Sequence, residues 1–325
     1  MSVSFDLLQK ITCGAIKIAA SSGGYYFYRM TECQSQAWLD TSHDRTGKPF
    51  ASAGMRFEFV TDAASFRIKG MFRCGSSRQY AYMDVKVNGI IVQHEGTDNL
   101  QENPDFEMTV KLDGKKNRVA VYLPNLAQFI LHDLDFCDAS FVDPVKKDFN
   151  MVCWGDSITQ GYDAVYPSLS YANSLADKLN AQIYNKAIGA EVFNPAYFNE
   201  FEPLKADVIT IAYGTNDWSK CSEEHLKKNV PAFLEKITSH YPDAVFYLIA
   251  PIWRADANRI TDAGTFENAR SIIFDICSDF SMLNVIDGMK LVPHETGFFK
   301  DRYLHPDDLG FMCMTEKLLE YIKRP

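Results

Sequence analysis

The sequence has no C-x-x-C pair among its eight cysteines, so neither a zinc site nor a dithiol redox motif is expected. The cysteines are scattered. Cys153 in "MVCW" and Cys277 in "FDICSDF" lie in apolar runs and read as small core residues. Basic residues are also short: 33 Lys and Arg stand against 42 Asp and Glu, a formal net charge of −9. That removes the basic face which nucleic acid or an anionic membrane would need. No apolar run approaches the roughly 18 residues of a membrane span. The opening "MSVSFDLLQKITCGAIKIAA" lacks a basic stretch followed by a long apolar core, so no secretory signal is read there. With unpaired thiols, the expectation is a cytoplasmic protein. Internal repeats and low-complexity tracts are missing as well.

What is present is two different periodicities. From residue 10 to about 140, apolar and polar residues alternate with a period near two. "GMRFEFVTD" puts Met55, Phe57 and Phe59 on one face and Arg56 and Glu58 on the other. Asn88-Gly89 and Asp113-Gly114 read as hairpin turns, since both turn residues must take positive φ. Short strands between turn signals predict an antiparallel β-sandwich over residues 1–145. The polar stretch "VDPVKKDFN" (142–150) reads as a linker. Beyond it, "FNMVCW", "QIYNKAIG", "DVITIAYG", "AVFYLIAP" and "LNVIDG" alternate with helical stretches at about 168–179, 222–239, 265–280 and 307–323. Continuous apolar strands spaced by helices predict a parallel α/β sheet over residues 146–325.

In an open parallel sheet, ligands bind at the carboxyl ends of the strands. After the first such strand comes Gly155-Asp156-Ser157, after the second Gly189, and after the third Gly214-Thr215-Asn216-Asp217. Asp301 and His305 stand directly before the last helix. These residue types suit acyl transfer. A serine hydroxyl is a weak nucleophile and needs a base, a histidine has the right pKa, and an aspartate beside it fixes the tautomer. Backbone N–H groups after a glycine-rich turn, or an Asn amide, can hold the oxyanion. Each residue has a blander reading. Ser157 alone would make a good helix N-cap, Asn216 can cap a turn, and Asp156 suits a brace for the turn. Asp307 and Asp308 suit the first turn of the last helix. His43, His94, His132, His225, His240 and His294 show no ligand spacing and read as structural or exposed. Trp154, Trp218, Trp253 and Tyr162 fall near strand ends, where rings can stack on a sugar or pack under the loops.

"GDSITQG", Gly189, "GTND" and "LHPDD" resemble, in order, the four blocks of the SGNH (GDSL) hydrolase superfamily over about residues 149–325. The resemblance implies a flavodoxin-like three-layer α/β/α domain and a serine esterase. Ser157 is then the nucleophile and His305 the base, with an oxyanion hole from the Ser157 N–H, the Gly189 N–H and the Asn216 side chain. It implies no metal or cofactor. A jelly-roll-like sandwich ahead of such a domain is similar to the second family of carbohydrate esterases, which deacetylate sugars. The implied partner is a small-molecule or oligosaccharide ester. A lipid or thioester acylhydrolase on the same machinery is the alternative, and a decayed carbohydrate-binding protein is a third reading. The chain departs from the family at its last block, D-x-x-H. Here Asp301 lies four residues before His305, with Arg302 at three. Either the loop bulges and Asp301 completes a triad, the reading favoured here, or the site is a Ser–His dyad.

Overall fold

The computed structural model describes residues 2–42 and 47–325; His43 lies outside them. The chain divides into two units. The first holds the segment up to Met30, the strands through Lys147 and the short piece Tyr166–Ser168; the second holds the helix after Thr31, Asp148–Val165 and Leu169–Pro325.

The first unit runs through α1 (Phe5–Ile11), β1 (Thr12–Cys13), β2 (Lys17–Ser21), β3 (Gly24–Tyr28), β4 (Arg56–Thr61), β5 (Ser65–Cys74), β6 (Ala81–Val87), β7 (Ile90–Thr97), β8 (Asp105–Lys111), β9 (Asn117–Tyr122), β10 (Ala127–Cys137) and β11 (Val142–Pro144). Two antiparallel sheets result, one in the order β1-β4-β9-β6-β7 with β11 beside β4, the other β2-β3-β10-β5-β8. Their inner faces bury Phe57, Phe59, Phe66 and Phe136, with the Phe59 ring edge-on to those of Phe66 and Phe136 at 5.5 and 5.1 Å. Asn88 (φ 51) and Gly89 (φ 87) do form the β6–β7 hairpin. Asp113-Gly114 does not close one. β8 pairs with β5 and β9 with β4 and β6, so this turn carries the chain from one sheet to the other. There Asp113 accepts hydrogen bonds from the Lys115 N–H (3.0 Å) and the Asn117 amide (2.7 Å).

The second face of β4, which carries Arg56 and Glu58, is buried too. Arg56 is 0% and Glu58 3% exposed. The Glu58 carboxylate contacts Arg56 at 2.8 Å, Arg118 at 2.6 Å and Lys147 at 2.6 Å, so a buried ion cluster forms there.

The second unit contains α2 (Glu32–Thr41), then β12 (Phe149–Gly155), α3 (Ser157–Gln160), α4 (Tyr171–Leu179), β13 (Ala181–Asn185), β14 (Val208–Ala212), α5 (Thr215–Lys220), α6 (Glu223–His240) and β15 (Val245–Ile249). A two-strand ribbon β16 (Ile260–Thr261) and β17 (Gly264–Thr265), α7 (Phe266–Ser278), β18 (Leu283–Ile286) and α8 (Asp308–Tyr321) complete it. The parallel sheet has the order β13-β12-β14-β15-β18, the flavodoxin-like arrangement. In this topology the strand order reverses between β12 and β14, and a crevice opens outside their carboxyl ends. The helices match their predicted spans closely. On α6, Leu226, Val230, Phe233, Leu234 and Ile237 are the buried stripe, and Ser222 caps it. Helix α2 was not expected in a segment that reads as strands. Thr31 and Gln34 close a capping box at its start. Gln34 joins a buried ion pair between Lys186 and Glu202 (2.5 Å), which ties the helix to the chain after β13. Burial pushes the Cys153 and Cys277 thiols up to about 12, so both behave as core residues. Among the described residues, no helix is long and apolar enough to cross a membrane.

Candidate active site

β12 delivers its chain to the carboxyl edge of the sheet and turns at once into the short helix α3. The turn is tight: a Cβ on Gly155 would stand 2.2 Å from Thr159 Oγ1 and 2.9 Å from the Ala212 carbonyl oxygen. Asp156, and not Ser157, is the N-cap, its carboxylate accepting from the Ile158 N–H at 3.0 Å. The cap is thereby filled, and the serine hydroxyl is left for other work. Burial pushes the Asp156 carboxyl up to about 7, against the opposing pull of that hydrogen bond and of His305.

The Ser157 Oγ lies 2.8 Å from His305 Nε2, and His305 Nδ1 lies 2.7 Å from Asp301 Oδ2. The four-residue spacing is absorbed by the loop between them. Arg302 takes a left-handed conformation (φ 59), and Asp301 Oδ1 accepts from the N–H groups of Tyr303 (2.9 Å), Leu304 (2.8 Å) and His305 (3.1 Å). Burial alone would raise the Asp301 carboxyl. The hydrogen bond from His305 and those from the backbone outweigh burial and hold it well below the usual carboxylate range. An ionised Asp301 makes Nδ1 the donor, which leaves the Nε2 lone pair to accept the serine hydroxyl proton. A second carboxylate, Asp163, has an oxygen 3.6 Å from Nδ1. The ligand atoms of Asp163, Asp301 and His305 lie within 4.8 Å of one another; a hydrogen-bonded acid–base pair beside a second acid has this geometry, and we assign no metal to it.

Two of the expected oxyanion donors have partners. The Gly189 N–H donates to Gln160 Oε1 at 2.7 Å. Asn216, in the first turn of α5, donates one amide hydrogen to the Glu191 carbonyl at 3.0 Å, which fixes the amide and leaves its second hydrogen. Gly189 also lacks room for a side chain, since a Cβ there would sit 2.6 Å from the Tyr162 ring.

Residues 153–311 match the GDSL-like lipase/acylhydrolase family. The chain carries a GDSL-like (SGNH) domain. No curated protein matches the sequence. Solved structures do match the fold. The salicylyl-acyltransferase of a tetracycline biosynthetic pathway is 19% identical with a TM-score of 0.81, over 100% of this chain and 99% of its own. A family two carbohydrate esterase from Clostridium thermocellum in complex with cellohexaose is 16% identical, TM-score 0.61, over 83% and 92%. An acetyl xylan esterase from the rumen bacterium Butyrivibrio proteoclasticus is 14% identical, TM-score 0.59, over 82% and 88%.

Of the four aromatic residues near strand ends, Trp154 is fully buried and the other three separate. Tyr162 is 4% exposed and its ring lies against His305, centroids 5.4 Å apart. Trp253 is half-buried and stacks on His294 at 5.7 Å. Trp218 is 0% exposed. Its indole N–H donates to the Gly264 carbonyl (3.1 Å), and the Arg254 guanidinium covers it at 4.7 Å, so it has no face for a sugar and serves as a scaffold residue. His225, read from the sequence as structural or exposed, contacts the Asp217 carboxylate at 3.4 Å; hydrogen bonding to Asp217 and to Cys221 pushes it up to about 10. Two residues near the site were given no role by sequence reasoning. Asp163 carries no motif signal. Arg254 bonds Thr215 Oγ1 (2.8 Å) and the Tyr303 hydroxyl (2.5 Å), linking the Asn216 turn to the His305 loop. Its signal was its position just past the end of β15.

Proposed function

We propose that this protein is a serine esterase that removes acetyl or another short acyl group from a carbohydrate ester. The observation that carries the reading is the continuous chain Ser157 Oγ–His305–Asp301, with 2.8 Å and 2.7 Å links, at the carboxyl edge of the sheet. Ser157 attacks the ester carbonyl as His305 takes the hydroxyl proton, and Asp301 stabilises the imidazolium. Negative charge develops on the former carbonyl oxygen. The Ser157 N–H and the second amide hydrogen of Asn216 are its donors, and Gly189 joins them if its N–H leaves Gln160. The tetrahedral adduct collapses, the alcohol oxygen leaves with the proton from His305, and the acyl group stays on Ser157. Water, deprotonated by His305, then attacks the acyl-enzyme and releases the carboxylic acid and free serine. The carbohydrate assignment is supported by the two-unit likeness to a family two carbohydrate esterase in complex with cellohexaose and to an acetyl xylan esterase. We give the sandwich unit an accessory, glycan-binding role.

A second reading is acyl transfer, in which an acceptor alcohol or amine takes the place of water. The likeness to an acyltransferase over the full length of both chains favours it. One set of assays tests both. Wild type and Ser157→Ala are run on acetyl to octanoyl esters of one chromophore and on acetylated xylan and glucomannan, with and without added acceptor alcohols. The expected result is a preference for short acyl groups, release of acetate from the glycans, and loss of all activity in Ser157→Ala, which should also escape labelling by a fluorophosphonate. Activity in Ser157→Ala within tenfold of wild type sinks the esterase reading. Predominant capture of the acyl group by the acceptor moves the protein to the transferases.

A further inference from the structure

His305 is faced by more acid than a Ser–His–Asp relay uses. Asp301 Oδ2 stands 2.7 Å and Asp163 Oδ2 3.6 Å from the same Nδ1. Asp163 is 3% exposed, so its carboxylate is not a surface charge that happens to pass by. It holds φ 69, a left-handed conformation that costs a residue with a side chain. The strain falls in the run Gly161-Tyr162-Asp163 that leaves α3, and this run brings Tyr162 against the imidazole as it brings Asp163 to its edge. The titratable groups around the ring are therefore Asp301 and Asp163 at Nδ1, Tyr162 on its face, and Asp156, which also acts on it electrostatically.

We infer that Asp163 is a second positioning carboxylate for the base: it stabilises the imidazolium beside Asp301 and takes over the Nδ1 hydrogen bond when Asp301 is removed. The inference rests on the esterase reading. Two carboxylates near a neutral ring, one of them buried, repel each other, and the repulsion is relieved when the ring gains a proton. That happens as Ser157 attacks, so the attraction grows toward the transition state, where it accelerates the reaction instead of tightening the ground state. At 3.6 Å Asp163 is too far for a hydrogen bond, but the difference from the Asp301 contact is only 3.6 − 2.7 = 0.9 Å. A small rotation of the ring closes it once Asp301 is gone.

The test is a double-mutant cycle with Asp301→Asn, Asp163→Asn and the pair, read by kcat, KM, the pH profile and proton NMR of the imidazole. Asparagine tolerates the left-handed conformation; if Asp163→Asn does not fold, Asp163→Gly, which suits positive φ, replaces it throughout. We expect Asp301→Asn to lose no more than about 10²-fold in kcat, short of the ~10⁴-fold loss in a triad with one acid, and the pair to lose the full ~10⁴. Asp163→Asn alone should lower kcat about tenfold at unchanged KM and move the acid limb of kcat/KM down by about one pH unit, since a carboxylate near the ring has been lost. The low-field Nδ1–H resonance should survive in Asp301→Asn and vanish in the pair. The inference is overturned if Asp301→Asn alone is as damaged as the pair, or if Asp163→Asn leaves the acid limb in place. A wild type that hydrolyses no ester overturns the esterase reading instead, and the NMR comparison still shows whether Asp163 takes the Nδ1 proton.

Discussion

Replacing Asn216 by alanine should cost kcat about 10²–10³-fold, toward the upper end of that range, with little change in KM. The magnitude follows from how the candidate donors are occupied. A tetrahedral oxyanion is commonly held by two or three N–H groups. Here the Gly189 N–H is engaged by Gln160 Oε1 at 2.7 Å, which leaves the Ser157 N–H and one hydrogen of the Asn216 amide. The other amide hydrogen goes to the Glu191 carbonyl at 3.0 Å, so the amide is held in place before reaction begins. One oxyanion donor is worth about 2.7–4 kcal/mol in the transition state. When only two donors serve, removing one leaves the charge half-solvated, and the loss belongs near the larger value. KM should hold, because a neutral ester carbonyl gains little from a donor placed for the oxyanion. Asn216→Asp makes the stricter comparison. It keeps the shape, but an ionised carboxylate has no hydrogen to donate and would set an oxygen against the Glu191 carbonyl, so it should be no better than alanine. Steady-state kinetics on one small acetyl ester suffice for the measurement. A kcat within tenfold of wild type, or a defect lying wholly in KM, refutes the reasoning. A loss at the low end would mean that Gly189 leaves Gln160 during turnover and serves as a third donor.

Two further outcomes concern buried charge and pH. Glu58, which burial would raise but which Arg56 and then Lys147 outweigh, is pushed down to about 2 from 4.5. A depressed acid stabilises fully above its unfolded pKa and loses that as pH falls through the folded one. Wild type should thus lose about 3 kcal/mol between pH 5 and pH 2 relative to Glu58→Gln, and Glu58→Gln should be about 3–5 kcal/mol less stable at pH 7 for leaving Arg56 and Lys147 unpaired; equal urea midpoints at pH 7 would contradict this. Asp156 has the opposite sign. Its carboxyl is pushed up to about 7, so the folded state holds a proton that the unfolded chain releases near pH 4, and stability falls as pH rises across that window. Asp156→Asn, which still caps α3, should gain on wild type from pH 4 to pH 7 in thermal melts and level off above; a gap that stays constant with pH would remove the buried charge from the account.

The fold was legible where one signal determines one outcome. Continuous apolar strands spaced by helices admit few arrangements other than a parallel sheet, and the α6 stripe from Leu226 to Ile237 is the buried face. Turn signals are weaker, because they specify a reversal and not a partner. Asn88-Gly89 closes a hairpin, whereas Asp113-Gly114 hands the chain to the other sheet, and nothing local distinguishes them. Alternation on β4 separates Arg56 and Glu58 from the phenylalanines but does not say what covers them, and here neighbouring cations do. Helix α2 did carry a local signal, the Thr31-x-x-Gln34 capping box, but the aromatic strand before it dominated the reading. At the site, nearness in sequence stood in for exposure. Trp218 is two residues from Asn216, yet α5 turns its indole into the core under Arg254.

The acid shows most clearly what spacing can and cannot say. In an extended segment one added residue reverses the direction of a side chain, so Asp301 four residues before His305 should point away. The loop is not extended. Its geometry is set by Asp301 itself, whose Oδ1 gathers three successive backbone N–H groups and draws the chain into a turn that Arg302 completes at φ 59. Oδ2 is then left facing Nδ1. One oxygen closes the loop and the other orients the ring, so the distance along the chain follows from the loop the first oxygen can organise. A motif written as a fixed interval records one solution to that closure. The physical requirement is a carboxylate with enough backbone donors to hold it ionised and still, and here four residues meet it. It follows that Asp301→Ala should be worse than Asp301→Asn, because alanine removes both the acid and the acceptor that holds the loop, and His305 should then be seen to move in a structure of the variant.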